Sequence, residues 1–218
     1  MDHLARLYYF RYFRQLIELK RFVKINPSLL PLIAYLISSA AGLFYLTNLL
    51  AYFGFDGLQH IRLGDFFTII FSSLGLMLTF VGIVIFCIFI IPLDKKLTGI
   101  RFLGLGKIFF KMNLPFLKAP LLSAFCSALI AVFVNAFTMA KIDASHIKNS
   151  QEGFVTVSFN YPVNWLGKTT TTLEETKIIA STSYYVFIFH QTTKKSVVVP
   201  LSNIATVFKA QPKGHESE

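Results

Sequence analysis

FFTIIFSSLGLMLTFVGIVIFCIFIIPL, residues 66–93, decides the fold class. These 28 residues carry no charge. A bilayer core of about 30 Å needs roughly 20 such residues as a helix, and a soluble domain of this size has no use for so long a run. Two further uncharged stretches flank it. One runs over about 29–53 and the other over 119–140, bracketed by Lys118 and Lys141. The sequence therefore predicts an α-helical membrane domain with spans at about 29–53, 66–92 and 119–140. Pro31 and Pro120 sit in first turns, where a missing N–H costs little. A small-residue run, Ser38-Ser39-Ala40, resembles a signal-peptide cleavage site, but the apolar stretch continues past it, which favours an uncleaved span.

Composition agrees. The chain has 218 residues, 54% hydrophobic and 15% charged, against about 25% charged in soluble domains. The net charge is +10, and its excess flanks the apolar runs. That placement fits anchoring against anionic lipid and speaks against nucleic acid as a partner. Cys87 and Cys126 both lie inside apolar spans, so a disulfide framework is not expected.

Residues 1–28 open with a basic amphipathic helix. At 100° per residue, Leu4, Tyr8, Tyr12, Leu16, Leu19 and Val23 share one side, while Arg11, Arg14, Glu18 and Arg21 share the other. Asn26-Pro27-Ser28 ends it. Segment 94–118 is a second basic stretch, expected on the membrane surface. Arg11, Arg14, Arg21, Lys95, Lys96, Arg101, Lys107 and Lys111 are its and the first helix's candidate membrane-surface cations. Gly104-Leu105-Gly106-Lys107 lacks the spacing of a phosphate loop.

Topology follows from the loops. The N-terminal segment and segment 94–118 each hold six Lys or Arg, whereas loop 54–65 holds only Arg62. The basic segments stay cytoplasmic. Three spans then place the N-terminus inside and residues 141–218 outside, in a cell membrane of the bacterial inner-membrane type. Ser72, Gly75, Ala124, Ala128 and Ala131 are candidate helix-packing residues because small side chains let helices approach closely, and Asn48 and Asn135 are candidate interhelical hydrogen-bonders. The spans contain no Asp, Glu, Lys, Arg or His, which counts against a one-chain transporter.

After residue 140 the pattern changes period. Residues 153–159 alternate apolar and polar, residues 176–180 and 183–190 are strand-like, 196–199 pairs back across a polar loop, Pro200 ends that strand, and 205–208 closes. In SYYVFIFH both faces are apolar, which predicts a strand buried on both sides. A meander curled into a small all-β barrel of SH3-like or Sm-like type is expected over 141–208, with 209–218 a disordered tail.

No motif carries chemistry. The histidines lack metal-ligand spacing, Glu174 and Glu175 are adjacent and point to opposite faces of a strand, and His190 reads as a half-buried, satisfied side chain. The expectation is a protein without catalytic residues, cofactor or metal. It would bind membrane lipid and another membrane or envelope protein, or a second copy of itself. Tyr161, Trp165, Tyr184 and Tyr185 are the candidate partner-binding residues, because aromatics dominate interface energies. The alternative is an oligomeric pore or membrane-disrupting effector. A cytoplasmic, ligand-sensing β-domain would instead offer Lys168, Lys177, Lys194 and Lys195 to an anion.

Overall fold

The computed structural model describes residues 3–62, 65, 78, 82 and 120–209. Apart from Leu78 and Gly82, the expected span 66–92 lies outside the described residues, as do the basic segment 94–118 with Lys95, Lys96, Arg101, Lys107 and Lys111, also Ser72, Gly75, the tail beyond Lys209 and the side chain of Ala124.

The amphipathic run forms helix α1, His3–Ile25. Asn26 ends it by donating both its backbone N–H and its side-chain amide to Phe22 O. Helix α2, Leu29–Ala51, follows. Gly54, at φ +83°, terminates it. The N–H groups of Phe53, Gly54 and Phe55 fold back onto the carbonyls of Leu50 and Ala51, as a glycine in the left-handed region permits. Helix α3, Pro120–Asn149, starts on a proline and continues beyond Ala140 to Asn149. Both α2 and α3 are long and apolar enough to cross a membrane.

The chain divides into two compact units, one of residues 1–41 and 70–136, the other of residues 42–69 and 137–218. In the first, Tyr12 of the apolar face is buried, whereas Leu19 is exposed. The Leu121 N–H donates to Gln15 Oε1, which satisfies one of the free N–H groups at the start of α3. Arg14 and Glu18 form an exposed ion pair one turn apart, an arrangement that adds little stability.

The second unit holds the last turns of α2 and α3, the loop after α2 and a five-stranded antiparallel sheet. Its strands are β1 (Val155–Trp165), β2 (Lys168–Ser181), β3 (Tyr185–His190), β4 (Lys195–Pro200) and β5 (Ile204–Lys209). Their order is β4-β3-β2-β1-β5. Two strands are longer than the alternating pattern implies. β1 runs on to Trp165 because an irregularity sets its residues 159–162 opposite Thr171 alone, and a bulge is where a strand tolerates a residue such as Pro162. The four threonines belong to β2, which begins at Lys168 after a two-residue turn.

The connection from β4 to β5 shapes the sheet. A flat five-stranded sheet would separate its edges by about 19 Å. Only Leu201–Asn203, a single 3-10 turn, joins Pro200 to Ile204. Four Cα steps span at most about 15 Å, and less when coiled, so the sheet must curl. Asn203 fixes the crossing by accepting from the Tyr161 N–H and donating to Tyr161 O, while Asn160 donates to Ser202 O. The expected barrel is nevertheless not closed. The turn bonds to β1, and β4 and β5 remain the two edges of an open sheet.

Inside the curl, Val157, Phe159, Leu173, Val186, Ile188 and Val199 form the core, with Trp165 packed against it. β3 is buried on both faces, as its sequence predicts. Val186 and Ile188 point into this core. Tyr185, Phe187 and Phe189 point the other way, to a second set of partners.

Candidate functional site: the junction under the sheet

Those partners come from the loop that follows α2. Phe53 meets Phe189 at 5.3 Å between ring centroids, Phe55 meets Phe187 at 5.2 Å, and His60 meets Tyr185 at 5.1 Å. Successive aromatics of the loop thus run antiparallel to β3 and cover its outer face edge-on, a favoured geometry for aromatic pairs. The loop is itself fixed. Asp56 accepts from the Leu58 N–H and the Gln59 amide, capping the 3-10 turn Gly57–Gln59. Gly57 is buried so closely on α2 that an added Cβ would stand 3.2 Å from the Thr47 Cα. Asp65 is buried and accepts from the backbone and hydroxyl of Ser183 and from the Arg62 N–H. Burial opposes its charge, but these hydrogen bonds and the Arg62 cation outweigh it, and its pKa is lowered.

The ends of the helices are held as well. Lys177, only 5% exposed, donates to the carbonyls of Ile147 and Ser150 at the end of α3, and Gln191 donates to Lys148 O. A lysine suits the negative end of a helix. Burial pushes the Lys177 pKa down, and the charge of Lys194 adds to the effect. Lys148 donates to Tyr52 O just beyond α2, and the Tyr45 hydroxyl donates to Asp143. Partners advance together along both helices, from Tyr45 and Asp143 to Tyr52 and Lys148, so α2 and α3 run parallel here.

At this junction lies an open cleft of about 350 Å³ lined by Tyr52, Phe53, Gly54, Lys148, Phe189, Lys194, Lys195 and Ser196. Its Lys148 and Lys194 ammonium groups sit 5.0 Å from the Phe53 ring centroid and 5.9 Å from that of Phe189.

The four aromatic candidates are not brought together as one patch. Tyr161 is 72% exposed at the β1 irregularity. Tyr184 is exposed beneath Arg62, whose guanidinium carbon lies 3.7 Å from its ring centroid and whose Nη1 donates to its hydroxyl. Tyr185 is half-buried on His60. Trp165 is half-buried beside His190, whose Nδ1 accepts from the Thr193 N–H. On α2, the Asn48 amide donates to Phe44 O of its own helix. Ala128, Ala131 and Asn135 are half-buried on α3, while Val132, Ala136, Ala140 and Ala144 make its fully buried stripe. Arg11 is half-buried and Arg14 and Arg21 are exposed on α1. Among the described residues no cluster of His, Cys, Asp or Glu is placed to hold a metal.

The chain matches no protein-family model, no curated protein and no solved structure.

The aromatic loop and the lysine cap were the parts that sequence reasoning missed. A signal was present for the first: Phe53, Phe55 and His60 are dense for a polar connector. Lys177 carried none, since only the fold brings it to the end of α3.

Proposed function

We propose that the chain is a three-span integral membrane protein that holds a small β-domain of SH3-like or Sm-like type outside the cytoplasm, where the domain binds a membrane or envelope partner. The observation that carries this reading is the mounting of the sheet on the C-terminal ends of two parallel, span-length helices. A domain fixed at a membrane surface by Lys177, Asp65 and three aromatic pairs presents its far side in a defined orientation, which suits recognition and assembly.

Three features support the details. Parallel helices joined through residues 52–119 need a return crossing if both span, and the uncharged run 66–92 supplies a segment of the right length. On α3, Ile130, Val134 and Phe137 are exposed on one face, and Leu122 and Phe125 are exposed near its start, apolar surface suited to lipid. The strand order, with β5 returning to β1 through a single 3-10 turn, is that of a curled meander. The binding surface is the open β5 edge with Tyr161. Val207 and Phe208 are exposed there, Phe208 at 58%, and an edge strand offers unpaired backbone groups to another chain.

The test is accessibility in intact cells. In a Cys87→Ser, Cys126→Ser background, Ser202→Cys on the exposed turn before β5 should react with a membrane-impermeant maleimide, after permeabilisation of any outer membrane. Ser28→Cys should react only after lysis. Reversal of the two would move the β-domain to the cytoplasm and overturn the reading.

A further inference from the structure

We infer that the basic cleft at the junction is a binding site for the phosphate of an anionic lipid headgroup, with the acyl chains lying along α3. This rests on the membrane-anchored reading above and goes beyond it by naming a ligand.

Lys148, Lys177, Lys194 and Lys195 converge on the end of α3, and none is paired with a carboxylate among the described residues, where Arg14–Glu18 is the one ion pair. The helix end accounts for part of this charge. Lys177 and Gln191 already serve its last carbonyls, and Lys148 serves Tyr52 O. Lys194 reaches Lys148 O only at 3.5 Å, and Lys195 is exposed on the cleft wall. Like charges held together favour an anion between them. The aromatic walls, Phe53 and Phe189, orient the ammonium groups and give the cleft an apolar floor.

Position selects a lipid over a soluble anion. Lys141 is the first charge after the uncharged run 119–140. Lys148 lies seven residues further along α3, about 10 Å at the helical rise. A headgroup layer is roughly 5–8 Å deep, and lysine side chains reach back over the remainder. Counted at 100° per residue, Ile130, Val134, Phe137, Lys141 and Lys148 share one face of α3. The first three are exposed and apolar, so this face gives acyl chains a track that ends at the cleft. Phosphate is the headgroup chemistry that several ammonium donors can share.

The experiment uses the full chain in detergent and reads lipid adducts by native mass spectrometry. Phosphatidylglycerol should be retained in preference to phosphatidylcholine. The Lys194→Gln, Lys195→Gln variant, altered only at exposed positions, should bind phosphatidylglycerol about 30-fold more weakly, from the usual worth of two surface lysines near anionic lipid. The matching double arginine variant should restore binding, and Lys168→Gln, at the β1–β2 turn, should leave it unchanged. Equal retention of both lipids, or undiminished binding by the double glutamine variant with its circular dichroism intact, would overturn the inference. Tight binding of inorganic phosphate that displaces the lipid would assign the cleft to a soluble anion and also overturn it. A chain that fails to enter lipid nanodiscs at all would instead defeat the membrane reading on which the site rests.

Discussion

Asp65 and Ser183 are 118 residues apart, yet two hydrogen bonds between them join the loop after α2 to the turn between β2 and β3. The three donors favour the Asp65 anion over the neutral acid, which gives the contact a pH signature. Its folded pKa lies below the ordinary aspartate value of about 3.9. The stabilisation is thus complete above that value and is lost as pH falls toward and through the lowered folded pKa. Asp65→Ala should cost about 1–3 kcal/mol near neutral pH, because Ser183 and the Arg62 N–H lose their acceptor. In thermal melts followed by near-ultraviolet circular dichroism, the gap between wild type and variant should narrow as pH drops from 5 to 3. A gap that stays constant would mean the carboxylate is not the partner that matters. Side-chain roles of this kind were only partly legible. His190 reads correctly as half-buried because it ends an apolar strand. Lys177 reads as a surface cation, since nothing local in its sequence reveals the helix end that it caps.

At the scale of elements, β3, the polar loop to β4 and the turn after Pro200 are legible in the sequence, whereas the full lengths of β1 and β2 and the turn between them are not. Tyr185–His190 is apolar on both faces because two different partners cover it, the sheet's own core and the aromatic loop. The β1–β2 turn is hidden because Leu166 occupies a position that normally takes asparagine. Leu166 and Gly167 have φ +53° and +79°, the two positive values of a type I′ hairpin turn. Leucine there costs about 1–2 kcal/mol in backbone sterics, and with its side chain half-exposed it recovers little by burial. Leu166→Asn should therefore stabilise the β-domain, by up to about 1 kcal/mol, seen as slower amide exchange across Trp165 and Lys168. A destabilised hairpin would show that the leucine side chain has a packing role that outweighs its strain. The loop after α2 reads as a loop, but its packing under the sheet is hidden for a related reason. Glycines and charges mark it as a connector, but its aromatics make it the floor of the sheet.

The whole molecule is constrained by a simple count of directions. α2 and α3 end side by side, with Tyr45 on Asp143 and Tyr52 beside Lys148. Between them the chain must travel from the end of one helix back to the start of the next. If both helices span, residues 52–119 must cross the membrane an odd number of times, and residues 66–93 are the only uncharged stretch of sufficient length in that interval. Leu58, exposed on the 3-10 turn, and Lys107, in the basic segment, then lie on opposite sides of the membrane. In the background without native cysteines, Leu58→Cys should react with an impermeant maleimide in intact cells at a rate comparable to Ser202→Cys. Lys107→Cys should react only after lysis. Reaction of all three from outside would leave no return crossing, so α2 and α3 could not both span, and the apolar face of α3 would have to be covered by protein instead of lipid. Reaction of Lys107 alone would keep three spans but invert them, placing the sheet and its lysine cleft against the cytoplasmic leaflet.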